Sequence, residues 1–429
     1  MTAHASRDRN GISRRNFVSL LAASGSATLL GQKGLAFENP VPLPQTPTIP
    51  DEAFWRSVRE QFVMPTDVSV INAANLCPSS IPALNAMYEN TKDIDGDPSF
   101  QNRGKMGQGK VNTRKILADY LHVTPEEIII TRNTSEGNNL VSSGVELSAN
   151  DEVIIFGDNH PSNNVAWKEK SKRFGFTVTE IEVVRPHPGF DYYLEVVDKA
   201  ITSRTKLLSF TQQTNTFGDV FPAKELCQLA HSRGVLSLVD GAQSFGVMNV
   251  DLSDMQPDFY TGSAHKWPAG PKETGVLYIN ARAHEQIWPS IYSAGRGDVG
   301  ISRTFESFGQ RDEPAIIGFG EALKFQQKIG MQVIQDRAQE LSQSLMEQIQ
   351  SINGFKLITS RDTTESLSVV VFETGSLDAR KLYSALYENE RIGVAGRPKG
   401  LRISPHFYNL HSEIDRTVAA LKHYAAVGV

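Results

Sequence analysis

Cysteine is almost missing from this chain: Cys77 and Cys227 are the only two in 429 residues. Two thiols supply neither a disulfide framework nor a metal-ligand cluster, so no metal site is expected and one bridge is the most they allow. Basic excess is missing too. With 43 Lys and Arg against 48 Asp and Glu, the formal charge is -5, which leaves nothing to neutralise phosphates and argues against a nucleic-acid partner. Long apolar runs are also lacking. Phe17 to Leu30 is short and too rich in Gly, Ser and Ala to span a membrane stably. What remains is an apolar fraction of 40% in a length that exceeds what one core usually supports, so two packed units are expected.

The first 36 residues are a different kind of sequence. Ser13-Arg14-Arg15-Asn16-Phe17 pairs two arginines ahead of the short apolar run, and Gly34-Leu35-Ala36 places small residues where a signal peptidase reads. This resembles a twin-arginine export signal, whose translocase carries folded proteins, often around a cofactor, so the expected compartment is the periplasm. Removing residues 1–36 takes away five basic side chains (Arg7, Arg9, Arg14, Arg15, Lys33) and the acidic Asp8, which brings the charge to -9. Pro40, Pro42, Pro44, Pro47 and Pro50 follow; they remove backbone donors and predict an extended linker or surface strap. Asp51 caps a helix expected to reach about Phe62. Residues 37–64 therefore form an entry segment.

From there the pattern alternates. Apolar runs at Ile128 to Thr131, Val153 to Phe156, Thr177 to Val183, Lys206 to Phe210, Val235 to Val239, Phe259 to Thr261 and Gly275 to Ile279 are separated by helical periodicity. The alternation predicts an α/β large domain over residues 65–312, a mainly parallel sheet with helices on both faces. Ligands collect at the carboxyl ends of such strands, so the polar residues after each run are the candidates. Thr134 and Ser135 open a helix whose amides and hydroxyls suit a phosphate. His160, Asn215, Asp240 and Gln243 follow the next runs, and Lys266 stands in Gly262-Ser263-Ala264-His265-Lys266-Trp267. A lysine in that constrained setting is expected to be partly buried, which lowers its pKa and favours Schiff-base chemistry. Asn72-Ala73-Ala74-Asn75 lets a ligand or another backbone come close.

In their order and spacing, the Thr-Ser loop, His160, Asn215, Asp240-x-x-Gln243 and Ser263-x-His265-Lys266 resemble the class V aminotransferase group of fold type I pyridoxal-phosphate enzymes. The similarity runs from about residue 65 to 425. It implies pyridoxal 5'-phosphate as cofactor and a homodimer. It also implies roles. Lys266 would hold the cofactor and move protons, Asp240 would keep the ring nitrogen protonated, and His160 would stack on the ring. Asn215 and Gln243 would reach the phenolic oxygen, with Thr134, Ser135, Ser263 and His265 on the phosphate. Arg402 would grip the substrate carboxylate with its planar fork, and Asn72 would join it. The segment Phe305 to Asp312 resembles the place where a neighbouring subunit's phosphate is touched, but Gln310 stands where the group has threonine. A long linking helix over 313–352 and a small α/β domain over 353–429 complete the expected organisation.

One departure is chemical. Cysteine desulfurases in this group need a mobile cysteine ahead of the arginine, and none stands between Ser376 and Arg402. The expectation is therefore a periplasmic enzyme acting on an amino acid or amino-group-bearing small molecule, transamination first. Carbon-sulfur lyase and epimerase chemistry are the alternatives, and a non-catalytic binding protein is a third. An export signal on this kind of chain also resembles periplasmic enzymes that modify the glutamate side chain of the siderophore pyoverdine. Arg296, Arg311 or Arg397 would then supply a second cation, and the sequence does not choose among them.

Overall fold

The computed structural model describes residues 37–38, 41–293 and 297–429. The twin-arginine segment and Arg296 lie outside them. The entry segment packs as a strap: Leu43 is buried, Gln61 Nε2 donates to the Val41 carbonyl at 2.9 Å, and the Thr46 hydroxyl donates to the Lys328 carbonyl at 3.2 Å. Helix α1 (Glu52–Arg59) then starts at Asp51, whose carboxylate accepts from the Phe54 N–H. It ends three residues before Phe62. Strand β1 (Ser69–Val70) and helices α2 (Ile81–Gly96) and α3 (Phe100–Leu121) lead into the large domain.

That domain alternates β2 (Ile128–Thr131), α4 (Thr134–Gly144), β3 (Glu152–Phe156), α5 (Pro161–Phe174), β4 (Thr177–Ile181), α6 (Phe190–Ala200), β5 (Thr205–Thr211), α7 (Ala223–Ser232), β6 (Leu236–Asp240), β7 (Phe259–Ser263) and β8 (Gly275–Ile279). The seven strands lie in the order β2-β8-β7-β6-β5-β3-β4. β8 runs antiparallel to both its neighbours and the other pairs are parallel. Every residue of β2, β3, β7 and β8 is buried, which is why these strands read as continuous apolar runs: helices cover both faces. The carboxyl ends of β3, β5, β6 and β7 converge on one edge, and the candidate residues follow them.

The expected single helix over 313–352 is two helices, α8 (Glu313–Ile329) and α9 (Met331–Gln350). Gly330 between them adopts φ 101° and ψ 127°, a conformation open to glycine and strained for other residues. Apolar periodicity continues on both sides of the break, so the pattern alone does not show it.

The small domain is a four-stranded antiparallel sheet, β12-β13-β10-β9, made of β9 (Lys356–Leu357), β10 (Val370–Glu373), β12 (Ala395–Arg397) and β13 (Gly400–Ile403). Helices α10 (Ala379–Glu388) and α11 (His411–Val427) pack on it together with α9, with Leu345, Phe372, Leu386, Ile403 and Leu421 in their shared core. Its boundary differs from the sequence expectation. β1 pairs in parallel with β11 (Ile392–Gly393), and Asn72 bridges to Ser404, so residues 69–72 belong to the small domain's edge although they precede the large sheet.

Replacing Gly330 with Ala tests the break. Forcing a side chain into that conformation is expected to destabilise the protein by about 1–3 kcal/mol in denaturant unfolding. A continuous helix would instead gain about 0.5–1 kcal/mol from the same change.

Candidate active site

Asp240 is the last residue of β6 and is 1% exposed. A carboxylate there needs donors. Asn138, on α4, gives one: its Nδ2 donates to Asp240 Oδ2 at 2.8 Å, and its own Oδ1 accepts from the Thr261 hydroxyl at 2.9 Å. The Ala242 N–H donates to Asp240 Oδ1 at 3.0 Å. Gly241 between them has no room for a side chain, because a Cβ would lie 2.1 Å from the Tyr260 ring. The carboxylate is thus fixed by two donors, one of them, Asn138, itself held by Thr261.

Lys266 lies three residues beyond β7, on the wall of a cavity of about 270 Å³. Enclosure holds its ammonium down to about 8; Asp240 opposes this by favouring the charged form, and Arg402 adds to it by repulsion. Desolvation therefore outweighs the attraction of the carboxylate. An amine in that state is a nucleophile and a proton carrier near neutral pH.

His160 caps α5: its Nδ1 accepts from the Ser162 N–H at 3.2 Å and lies 2.8 Å from the Ser162 hydroxyl. Burial and then the Lys266 charge hold its pKa below the usual value, against the pull of Asp240. The ring is neutral at pH 7, and the Nδ1 acceptor role places its proton on Nε2. His265 is driven down to about 4, by burial first and then by Lys266 and Lys272.

Opposite stands the N-terminus of α4. Asn133 caps it by accepting from the Glu136 N–H, and the Thr134 N–H donates to the Ser263 hydroxyl at 2.9 Å. Thr134 and Ser263 hydroxyls lie 2.8 Å apart. A helix end with Thr134, Ser135, Ser263 and His265 beside it is an anion site. Arg402, on β13, closes the cavity from the small domain. Its Nη2 donates to Asn72 Oδ1 at 3.0 Å and its Nη1 to the Asn215 carbonyl at 3.2 Å.

An anion site, a fixed carboxylate, a neutral imidazole, a low-pKa lysine and a guanidinium thus share one cavity. A family model described as aminotransferase class-V matches residues 73–417. The chain belongs to that family. It is 29% identical over 390 residues to an isopenicillin N epimerase of Amycolatopsis lactamdurans, covering 86% of this chain and 98% of that one. It is 26% identical over 404 residues to a probable cysteine desulfurase of Methanothermobacter thermautotrophicus, again covering 86% and 98%. Among solved structures, a mutant of C-DES with glycine covalently linked to its PLP cofactor matches with a TM-score of 0.78 at 23% identity, covering 87% of this chain and 99% of that one. That likeness carries the fold, type I, and no more.

Against this class V frame, Lys266, Asp240, His160, Thr134, Ser135, Asn215, Gln243, Ser263, His265 and Arg402 all line the cavity. Gln310 lines a different depression with Arg132, Glu136 and Arg311, and its Oε1 accepts from Arg103, while the neighbouring subunit's phosphate expected of it lies beyond a single chain. One expectation needs correction. Asn72 stands behind Arg402 and positions it, without lining the cavity. Gln243 lines the wall with its amide largely committed: Nε2 donates to the Ala74 carbonyl at 2.9 Å, and Oε1 accepts from Trp267 Nε1 at 2.8 Å. One amide hydrogen is left for a ligand. Sequence reasoning missed Asn138, which looks like any polar residue inside a helix until the fold brings it to Asp240.

Both cysteines are free and buried. Burial pushes the Cys77 thiol up to about 12 even though Lys266 favours its thiolate, so it is not a nucleophile at neutral pH.

Lysine-selective NMR on the cofactor-free protein checks the electrostatics. Lys266 is expected to titrate near 8, well below the exposed lysines at about 10.4. Asp240→Asn removes a group that favours the charged amine, so the midpoint is expected to fall further. An unchanged or raised midpoint would contradict the assignment.

Proposed function

We propose that this chain is an exported, homodimeric aminotransferase acting on an amino acid or another amine that carries a carboxylate. The cofactor of this class V enzyme is pyridoxal 5'-phosphate, and the donor set fits it. The observation that carries the reading is the convergence of Lys266, Asp240, His160 and Arg402 on one cavity that also holds a helix N-terminus.

Bound there, the cofactor supplies an electron-withdrawing ring that stabilises negative charge at the substrate carbon bearing the amine. The protein supplies the rest. Lys266 would hold the cofactor and, when its amine is free, would serve as the proton carrier at that carbon. Asp240, pinned by Asn138 and the Ala242 N–H, would supply a fixed negative charge to favour a protonated ring nitrogen. The α4 N-terminus with Thr134, Ser135 and Ser263 would hold the phosphate, and His160 would offer a neutral ring that adds no competing charge. Arg402 orients the substrate by its carboxylate.

Export to the periplasm rests on Arg14-Arg15 and the small residues before residue 37. Transfer of sulfur through an enzyme persulfide is disfavoured, since no cysteine stands between Ser376 and Arg402 and Cys77 is locked as a thiol.

Product balance separates the reactions. With an amino donor alone, the enzyme is expected to release at most one equivalent of keto product per subunit, and a 2-oxo acid acceptor is expected to restore turnover. Continuous release of ammonia and a keto acid without acceptor would identify a lyase. Inversion of the α-carbon with no keto product would identify an epimerase.

A further inference from the structure

Two guanidiniums meet at the mouth of the site. Strands β12 and β13 pair as an antiparallel hairpin, with Arg397 opposite Gly400 and Arg402 opposite Ala395. Both arginines donate to the same acceptor, the main-chain carbonyl of Asn215, Arg402 at 3.2 Å and Arg397 through its Nη2. The Nε groups of both are buried and lack partners. Among the described residues, no carboxylate lies within ion-pair distance of either.

Two enclosed guanidiniums held only by neutral oxygens, the Asn215 carbonyl and the Asn72 amide, are a costly arrangement. Arg402 is 6% exposed, and an enclosed cation is stable only when paired. One neutral carbonyl oxygen faces two positive charges. The strain shows in Arg402, whose pKa is lowered to about 10 by burial first and then by the charge of Arg397. Asp158 is the carboxylate whose field favours a charged Arg397, but it already faces Arg185 at 3.7 Å and the hydroxyls of Thr214 and Thr216.

One α-carboxylate satisfies one guanidinium fork. A second guanidinium at the same carbonyl leaves a second fork open. Arg402 faces the cavity of Lys266; Arg397 reaches the carbonyl of Asn215, a residue of that cavity's lining, and also borders a second depression of about 520 Å³ with Tyr383 and Arg380. Asp378, on the same rim, has a carboxylate oxygen committed to the Arg380 and Lys381 N–H groups that start α10. Arg397 is thus the less enclosed of the two guanidiniums, partly exposed where Arg402 is buried.

We propose that the substrate carries a second carboxylate beyond its α-carboxylate, that Arg402 takes the inner one, and that Arg397 takes the outer one and sets specificity for acidic amines. The inference rests on the proposed reading of the Lys266 cavity as the amine site, and it favours Arg397 over Arg311, which lines a different depression with Arg132, Glu136 and Gln310; Arg296 lies outside the described residues.

Calorimetric titration of the cofactor-loaded protein with unreactive acids tests the pairing apart from turnover. Glutarate and adipate are expected to bind at least tenfold more tightly than butyrate. Arg397→Gln is expected to reduce that preference to within twofold while leaving butyrate affinity unchanged, and Arg397→Lys to keep most of it. Arg402→Gln is expected to weaken all three acids. Equal affinity for glutarate, adipate and butyrate in the unmodified protein would overturn the proposal. So would an Arg397→Gln protein that loses butyrate and glutarate affinity equally, because both arginines would then share one carboxylate. Failure of the cofactor reading shows separately, as a protein without visible absorbance, and leaves the acid preference readable on the same sample.

Discussion

A lysine amine enclosed with one carboxylate and one guanidinium sets the terms for everything around it. Asp240 favours the charged form of Lys266, while burial and Arg402 oppose it, and the balance leaves the group near 8. Without Asp240 the amine would lose its counter-charge, and without the enclosing walls it would stay protonated and inert. The fold meets both conditions by ending β6 at Asp240 and β7 at Ser263 on the same sheet edge, where Asp240 pairs in register with Thr261.

That register has a chemical consequence. Thr261 donates to Asn138, and Asn138 donates to Asp240, so the helix whose N-terminus borders the cavity is tied to the buried carboxylate on its other side. One displacement of α4 would disturb both. The small domain adds the third side. Arg402 reaches the cavity because β13 packs against β10 and because Asn72, bridged to Ser404, receives one arm of its fork.

Much of this arrangement is legible in the amino-acid sequence. Strands buried on both faces announce themselves as unbroken apolar runs, and Ile128–Thr131 and Gly275–Ile279 have the ends the sequence suggests. Ten of the twelve expected site residues line the cavity because loops at parallel strand ends converge by topology. The misses share a cause: they depend on partners distant in the chain. Asn138 acquires its role 102 residues from Asp240, and β1 pairs with a strand at Ile392. The hairpin carrying Arg397 is not legible, since Ala395-Gly396-Arg397 has none of the apolar alternation that marks a strand. Gly330 breaks a helix through a backbone conformation that periodicity does not record.

Chemical trapping tests the central claim most directly. The cofactor-loaded protein, reduced with borohydride and mapped by peptide mass, is predicted to carry the pyridoxyl label on the peptide containing Lys266 and nowhere else. Label on Lys272 or spread over surface lysines, with Lys266 unmodified, would contradict the account.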